Sequence, residues 1–163
     1  MNRLWAPWRL SYVTAASDPP SECIFCDASA GRKDDLLLWR GRYCFIILNL
    51  YPYNNGHLMV VPNRHLTKLE ALAGEEQAEM MTFARRSEMA LNEAYRPHGI
   101  NVGINLGRAA GAGIENHLHM HFVPRWSGDT NFMTAVADTR VLPEDLAATV
   151  ARLRPVFERL SRA

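Results

Sequence analysis

The chain has 163 residues, 48% of them hydrophobic and 21% charged, with a formal net charge of +1. That length suits one domain with a full core, and the near-neutral balance excludes a general nucleic-acid or membrane-surface binder. No apolar run is long enough to cross a bilayer, and three cysteines leave one over from any disulfide, so a reduced, cytoplasmic setting is expected.

Residues 1–22 read as an N-terminal arm, because "RLWAPWRLSYV" is too apolar for a free tail. The core is expected over 23–133. "RYCFIIL" (42–48) and "HLMVVP" (57–62) are rich in β-formers and predict two strands, joined by the turn-rich loop "NLYPYNNG" (49–56). Thr67 and Glu70 have capping-box spacing and predict a helical turn. A long helix is expected from about Glu75 to Tyr95, with Ala78, Met81 and Ala84 on one stripe and Pro97 and Gly99 ending it. "GINVGIN" (99–105) predicts a third strand, "GRAAGAG" (107–113) a flexible loop, and 117–123 a fourth strand. Leu146, Val150, Leu153, Phe157 and Leu160 recur at helical spacing, so a C-terminal helix is expected over about 144–162, kinked at Pro155. The whole reads as a single α+β domain with an antiparallel sheet, one long central helix and a C-terminal helix.

The informative stretch is "NHLHMHFVPRW" (116–126). In a strand, His117, His119 and His121 share one face and Leu118, Met120 and Phe122 the other, which is core. Three readings of the histidine face compete. A solvent-facing strand would be served better by serine, threonine or lysine. A zinc site using all three is awkward, because the outer two lie roughly 13 Å apart along a strand. The third reading is a nucleophilic histidine flanked by helpers, which suits the acid–base range of imidazole.

"HLHMHFV" resembles the motif of the histidine triad family, in which histidines alternate with apolar residues. "VPRWSGD", "GHLMVVP" and "NVGINLG" are similar to the family's flanking segments, and the N-terminal arm resembles its bacterial diadenosine tetraphosphate phosphorylase-like branch. The resemblance implies the histidine triad fold, a homodimer and a nucleotide substrate, with neither nucleic acid nor membrane as partner. It implies that His119 attacks the α-phosphorus to form a nucleotidyl-histidine, that His121 donates to phosphate oxygens or the leaving group, and that His57 orients the site. Asn49 would contact the nucleotide sugar, and Asn105 with the backbone of Gly111, Ala112 and Gly113 the phosphates. The substrate class implied is a dinucleoside polyphosphate such as diadenosine tetraphosphate, with water or phosphate as acceptor. A nucleoside phosphoramidase and a nucleotide-binding regulatory module without turnover are the alternatives. One departure stands out: Ala112-Gly113 occupies a place where the family usually has a polar side-chain donor.

Cys23-x-x-Cys26 alone is compatible with a redox pair, half a zinc site or packing. The resemblance implies a structural zinc held by Cys23, Cys26, His65 and His117, and no organic cofactor. Cys44 is expected in the core, and His98 outside any site.

Overall fold

A computed structural model describes residues 23–33, 35–111, 113–129 and 144–161. The expected arm (1–22), Ala112, the end of the expected core (130–133) and residue 162 lie outside the described residues.

The described elements are α1 (Ile24–Ser29), β1 (Leu37–Arg40), β2 (Cys44–Leu48), β3 (Leu58–Pro62), α2 (Gly74–Tyr95), β4 (Gly99–Ile104), β5 (Met120–Arg125) and α3 (Leu146–Ser161). The strands form one sheet in the order β1-β2-β3-β5-β4, with every neighbouring pair antiparallel. This is the α+β architecture the patterning predicts. Two elements escaped it: β1, only four residues long behind a charged stretch, and α1, six residues that begin just after Cys23 and contain Cys26.

The sheet has two unlike faces. On one, Leu38, Cys44, Ile46, Leu48, Leu58, Val60 and Phe122 pack against the helices, among them Met80, Phe83 and Leu91 of α2 and Leu153 and Phe157 of α3. On the other, Phe45, Ile47, Met59 and Val61 meet Phe25 and Ala28 of α1. β2 and β3 are therefore buried on both faces, which is why they read as continuous apolar runs rather than alternating ones.

Several expectations need correction. The fourth strand begins at Met120, not at 117, because β5 pairs with β3 only from Leu58↔Phe122 to Val60↔Met120. Before that the chain turns to a different partner, and Leu118 N–H donates to Leu66 O at 2.6 Å. The alternation of faces survives, since Leu118 joins the helix-side core with Phe122. The stripe on α2 is also offset. Ala84 is buried, but Met81 is 62% exposed and Ala78 lies on the outer face; the buried line is Met80, Phe83, Ser87, Ala90 and Leu91. The capping box at Thr67 and Glu70 does not form. A 3-10 turn runs over Leu69–Ala71 with no side-chain cap, and Glu70 pairs with Lys68 instead. The cap belongs to α2, where Glu76 accepts the Ala73 N–H at 2.8 Å. Pro155 sits inside α3 without ending it.

One carboxylate fixes the start of β2. Glu79 of α2 accepts the backbone N–H groups of Arg42 (3.1 Å), Tyr43 (2.5 Å) and Cys44 (2.6 Å). Gly41 is required beside it: a Cβ there would lie 2.5 Å from Phe83 Cζ and 2.8 Å from Glu79 Oε1.

Candidate active site and metal centre

The histidine side chains cluster on the sheet face away from α2 and α3. Met59 pairs with His121, and the pairing Gly103↔His121 continues toward Asn105 and His119 at the end of β4. His57 immediately precedes β3. Gly56 before it has φ +73° and lies so near Tyr95 that a Cβ would be 2.9 Å from the ring, so Gly-His is demanded by backbone and by space.

The hydrogen bonds assign a proton to each ring. Tyr53 N–H can only donate, and it donates to His57 Nδ1 at 3.0 Å, with Asn49 Nδ2 at 3.4 Å on the same atom. His57 therefore carries its proton on Nε2 and donates it to His121 Nδ1 at 3.0 Å. His121 in turn carries its proton on Nε2. His119 is set the opposite way: its Nδ1–H donates to the His117 carbonyl at 2.7 Å, leaving the Nε2 lone pair unprotonated.

Burial makes these neutral forms the resting ones. It pushes His57 down to about 3, helped by His121 and His119 nearby. His121 is pushed down to about 4 by burial and then by His119. His119 is lowered by burial, partly offset by the His117 carbonyl. The rings of His119 and His121 stand edge to face with centroids 4.7 Å apart. Phe25 walls the site from α1, 5.1 Å from the His119 ring and 5.4 Å from His117. The arrangement offers a lone pair (His119 Nε2) beside a donor (His121 Nε2–H), the combination that in-line displacement at a phosphorus needs.

Of the other predicted residues, Asn49 reaches this centre through its Nδ2 at 3.4 Å from His57 Nδ1. Asn49 is half-buried, and its Oδ1 accepts the Tyr51 N–H at 3.0 Å. Gly111 has φ +85° and closes a 3-10 turn over Arg108–Ala110; Gly113 is exposed, and Ala112 lies outside the described residues. His98 accepts the Ser127 N–H at 2.9 Å, a turn contact away from the triad. Three site neighbours were not found from sequence: Tyr53 acts through a backbone N–H, Phe25 sits on a short helix, and Asn54 reads as an ordinary turn residue.

His117 faces a second cluster. Its Nε2–H donates to Pro62 O at 2.9 Å, which leaves Nδ1 as the lone pair, as a metal ligand requires. Cys23 Sγ lies 3.4 Å from His117 Nδ1, Cys26 Sγ 3.8 Å from it, and Cys26 Sγ 3.3 Å from His65 Nδ1. All four ligand atoms lie within 4.8 Å of one another. Zinc bonds of about 2.3 Å to sulfur and 2.0–2.1 Å to nitrogen make tetrahedral edges of roughly 3.3–3.8 Å. The donor set and its spacing fit a closed tetrahedral site, and Cys44, fully buried in the core, takes no part.

Comparison with known proteins agrees with this geometry. A family model described as HIT domain matches residues 30–128. The chain is 41% identical over 157 residues to the AP-4-A phosphorylase of Mycobacterium tuberculosis (strain CDC 1551 / Oshkosh), an alignment covering 91% of this chain and 80% of the relative. A Zn-bound histidine triad family protein from Mycobacterium smegmatis superposes with a TM-score of 0.71 at 29% identity, over 86% of this chain and 96% of that one. A hypothetical histidine triad nucleotide-binding protein from Sulfolobus tokodaii gives the same TM-score at 25% identity, over 86% and 95%. With the family model covering more than half of its length, the chain belongs to the HIT domain family.

Proposed function

We propose that this protein cleaves dinucleoside polyphosphates such as diadenosine tetraphosphate at an α-phosphate, through a nucleotidyl-histidine on His119. The observation that carries the reading is the His119 Nδ1–H bond to the His117 carbonyl, which aims the lone pair of Nε2 outward. In the first step Nε2 attacks the α-phosphorus; an N–P bond forms and the P–O bond to the nucleoside polyphosphate breaks. The positive charge that develops on His119 is stabilised by the carbonyl at its Nδ1–H. The leaving oxygen takes a hydrogen bond from His121 Nε2–H, whose direction is set by His57, and departs as the polyphosphate anion. In the second step an acceptor oxygen attacks phosphorus, the N–P bond breaks and its electron pair returns to His119 Nε2; where the acceptor is water, its protons pass to solvent as the product phosphate ionises. Asn49 serves the sugar, and Asn105 with the backbone of Gly111, Ala112 and Gly113 the phosphates. The 41% identical AP-4-A phosphorylase supports the substrate class.

Cys23, Cys26, His65 and His117 would hold a structural zinc, as their donor set and the Zn-bound neighbour support. Zinc there would tie α1 to the segment that carries His119. A homodimer and a cytoplasmic setting complete the reading. β4, at the sheet edge with Val102 55% exposed, is a surface suited to the homodimer.

The acceptor divides two readings. Ala112-Gly113 offers backbone donors but no hydroxyl, and a missing hydrogen bond to a charged group costs roughly 1.5–3 kcal/mol, about one to two decades in rate. That favours water, giving AMP and ATP. The name of the 41% identical relative favours phosphate, giving ADP and ATP. The test is the AMP-to-ADP ratio from diadenosine tetraphosphate at millimolar phosphate, with His119→Ala as the control. The variant should bind nucleotide but lose turnover by several orders of magnitude. Wild-type turnover in that variant would end the His119 mechanism, and predominant ADP would make phosphate the acceptor.

A further inference from the structure

Asn54 lies in the loop before β3 and is only 8% exposed. Its amide nitrogen donates twice, to Pro124 O of β5 and to Asp129 Oδ2, both at 3.0 Å. Asp129 is held in turn by Arg125, through Nε at 2.6 Å and a second guanidinium nitrogen at 3.0 Å, and it accepts the Trp126 N–H at 3.3 Å. Arg125 is braced against Asn101 of β4 at 2.9 Å. The far end of β5 and the turn after it thus form a rigid, charged anchor, and Asn54 is the side chain by which the loop grips it.

The loop's other end of business is His57. Asn54 O accepts the His57 N–H at 3.2 Å, and the residue before Asn54 supplies the N–H that sets His57 Nδ1 as acceptor. An imidazole whose Nδ1 loses its 3.0 Å donor, and keeps the long 3.4 Å contact from Asn49 Nδ2, can move its proton from Nε2 to Nδ1. His57 Nε2 would then accept, His121 would have to present Nδ1–H to it, and His121 Nε2 would become a lone pair. A lone pair repels phosphate oxygens where an N–H attracts them.

We infer that Asn54 is a positioning residue of the reaction. By anchoring the loop to β5 and Asp129 it aims the Tyr53 N–H at His57, and so holds the His121 proton on Nε2, toward the reacting phosphates. This role rests on the functional reading given above, and it reaches the substrate only through His57 and His121.

The test is Asn54→Ala, read in two ways. Long-range proton–nitrogen NMR of the substrate-free protein reports which imidazole nitrogen carries the proton. Wild type should show His57 and His121 protonated at Nε2 and His119 at Nδ1. The variant should lose the Nε2–H signature at His121 while His119 keeps its own. Steady-state kinetics on diadenosine tetraphosphate should show kcat down roughly tenfold to a hundredfold, with KM changed by less than about threefold. Asn54→Asp keeps the shape but not the N–H donors, and should behave the same way if the alanine variant fails to fold. Unchanged tautomers overturn the inference, whether kcat falls or not, because a merely structural role would lower activity without moving the proton. Both variants failing to fold would also overturn it, making Asn54 a determinant of folding. The NMR arm needs no substrate, so a wild-type protein inert toward dinucleoside polyphosphates would end the functional reading without touching the tautomer result.

Discussion

Replacing Glu79 by alanine should lower stability by about 3 kcal/mol. Its carboxylate accepts three backbone N–H groups, those of Arg42, Tyr43 and Cys44. Arg42 is exposed and Tyr43 half-buried, so water can replace the carboxylate at both, and screening there leaves roughly 0.5–1 kcal/mol for each. Cys44 is fully buried, and the N–H it aims at Glu79 would lose a charge-assisted partner 2.6 Å away, for roughly 1.5–3 kcal/mol. For a chain of this size the sum corresponds to a fall in melting temperature of about 6–12 °C. Glu79→Gln keeps one carbonyl oxygen and should lose about half as much. The measurement is equilibrium denaturation in urea, monitored by tryptophan fluorescence. A loss below about 1 kcal/mol for the alanine variant, or equal losses for the two, would refute the account of how the β1–β2 turn is held.

The cysteine–histidine cluster should carry about one zinc per chain, and Cys23→Ser or His65→Ala should each abolish binding and lower the melting temperature. Elemental analysis finding no metal in protein purified without chelators would count against the site. Glu76 is held below the usual 4.5 first by Arg64 and then by the Ala73 N–H, against the opposing effect of burial. Its stabilisation is therefore full above that usual value and is lost as pH falls through the lower folded one, so the gap between wild type and Glu76→Gln in denaturation midpoint should narrow on acidification. A gap that widened toward acid would reverse the sign. Arg96 caps α2 in the left-handed region at φ 47°, ψ 53°, where glycine is at no disadvantage. Arg96→Gly should raise stability by roughly 1 kcal/mol, and an unchanged or lower melting temperature would show that the arginine side chain compensates.

The apolar patterning was enough to place β2, β3 and both long helices, because each buries a face that its own sequence must provide, and β4, whose Ile100 and Ile104 pack on the core although the strand is otherwise exposed. It failed where burial is decided by a neighbour. β1 is short and half-exposed, and α2 is polar enough that Ala78 and Met81 suggest a stripe the fold does not use. The three alternating histidines fixed a shared face, yet not the division of labour on it. That division depends on two carbonyls, Pro62 O turning His117 toward the cysteines and His117 O turning His119 away from them. Backbone groups leave no trace in side-chain identity, which is also why Tyr53 was invisible. The candidate metal ligands came from the family resemblance; their spacing in sequence, across 94 residues from Cys23 to His117, carries no signal of its own.

The strand order has a consequence for how the protein comes to be made. β1, β2 and β3 pair in sequence through short connections, and β4 pairs only with β5, so each set can close with little loss of chain entropy. The seam between β3 and β5 joins the two sets, with the whole of α2 and β4 lying between its strands in the sequence. It is the slow, non-local event of this topology. The His57–His121 bond straddles that seam, and so does the cluster, with His65 beyond β3 and His117 before β5. A half-folded chain therefore lacks the His57–His121 contact and holds only Cys23, Cys26 and His65 of the four cluster residues, without His117. The candidate catalytic histidines and the complete Cys2His2 cluster are assembled together, at the step that completes the sheet.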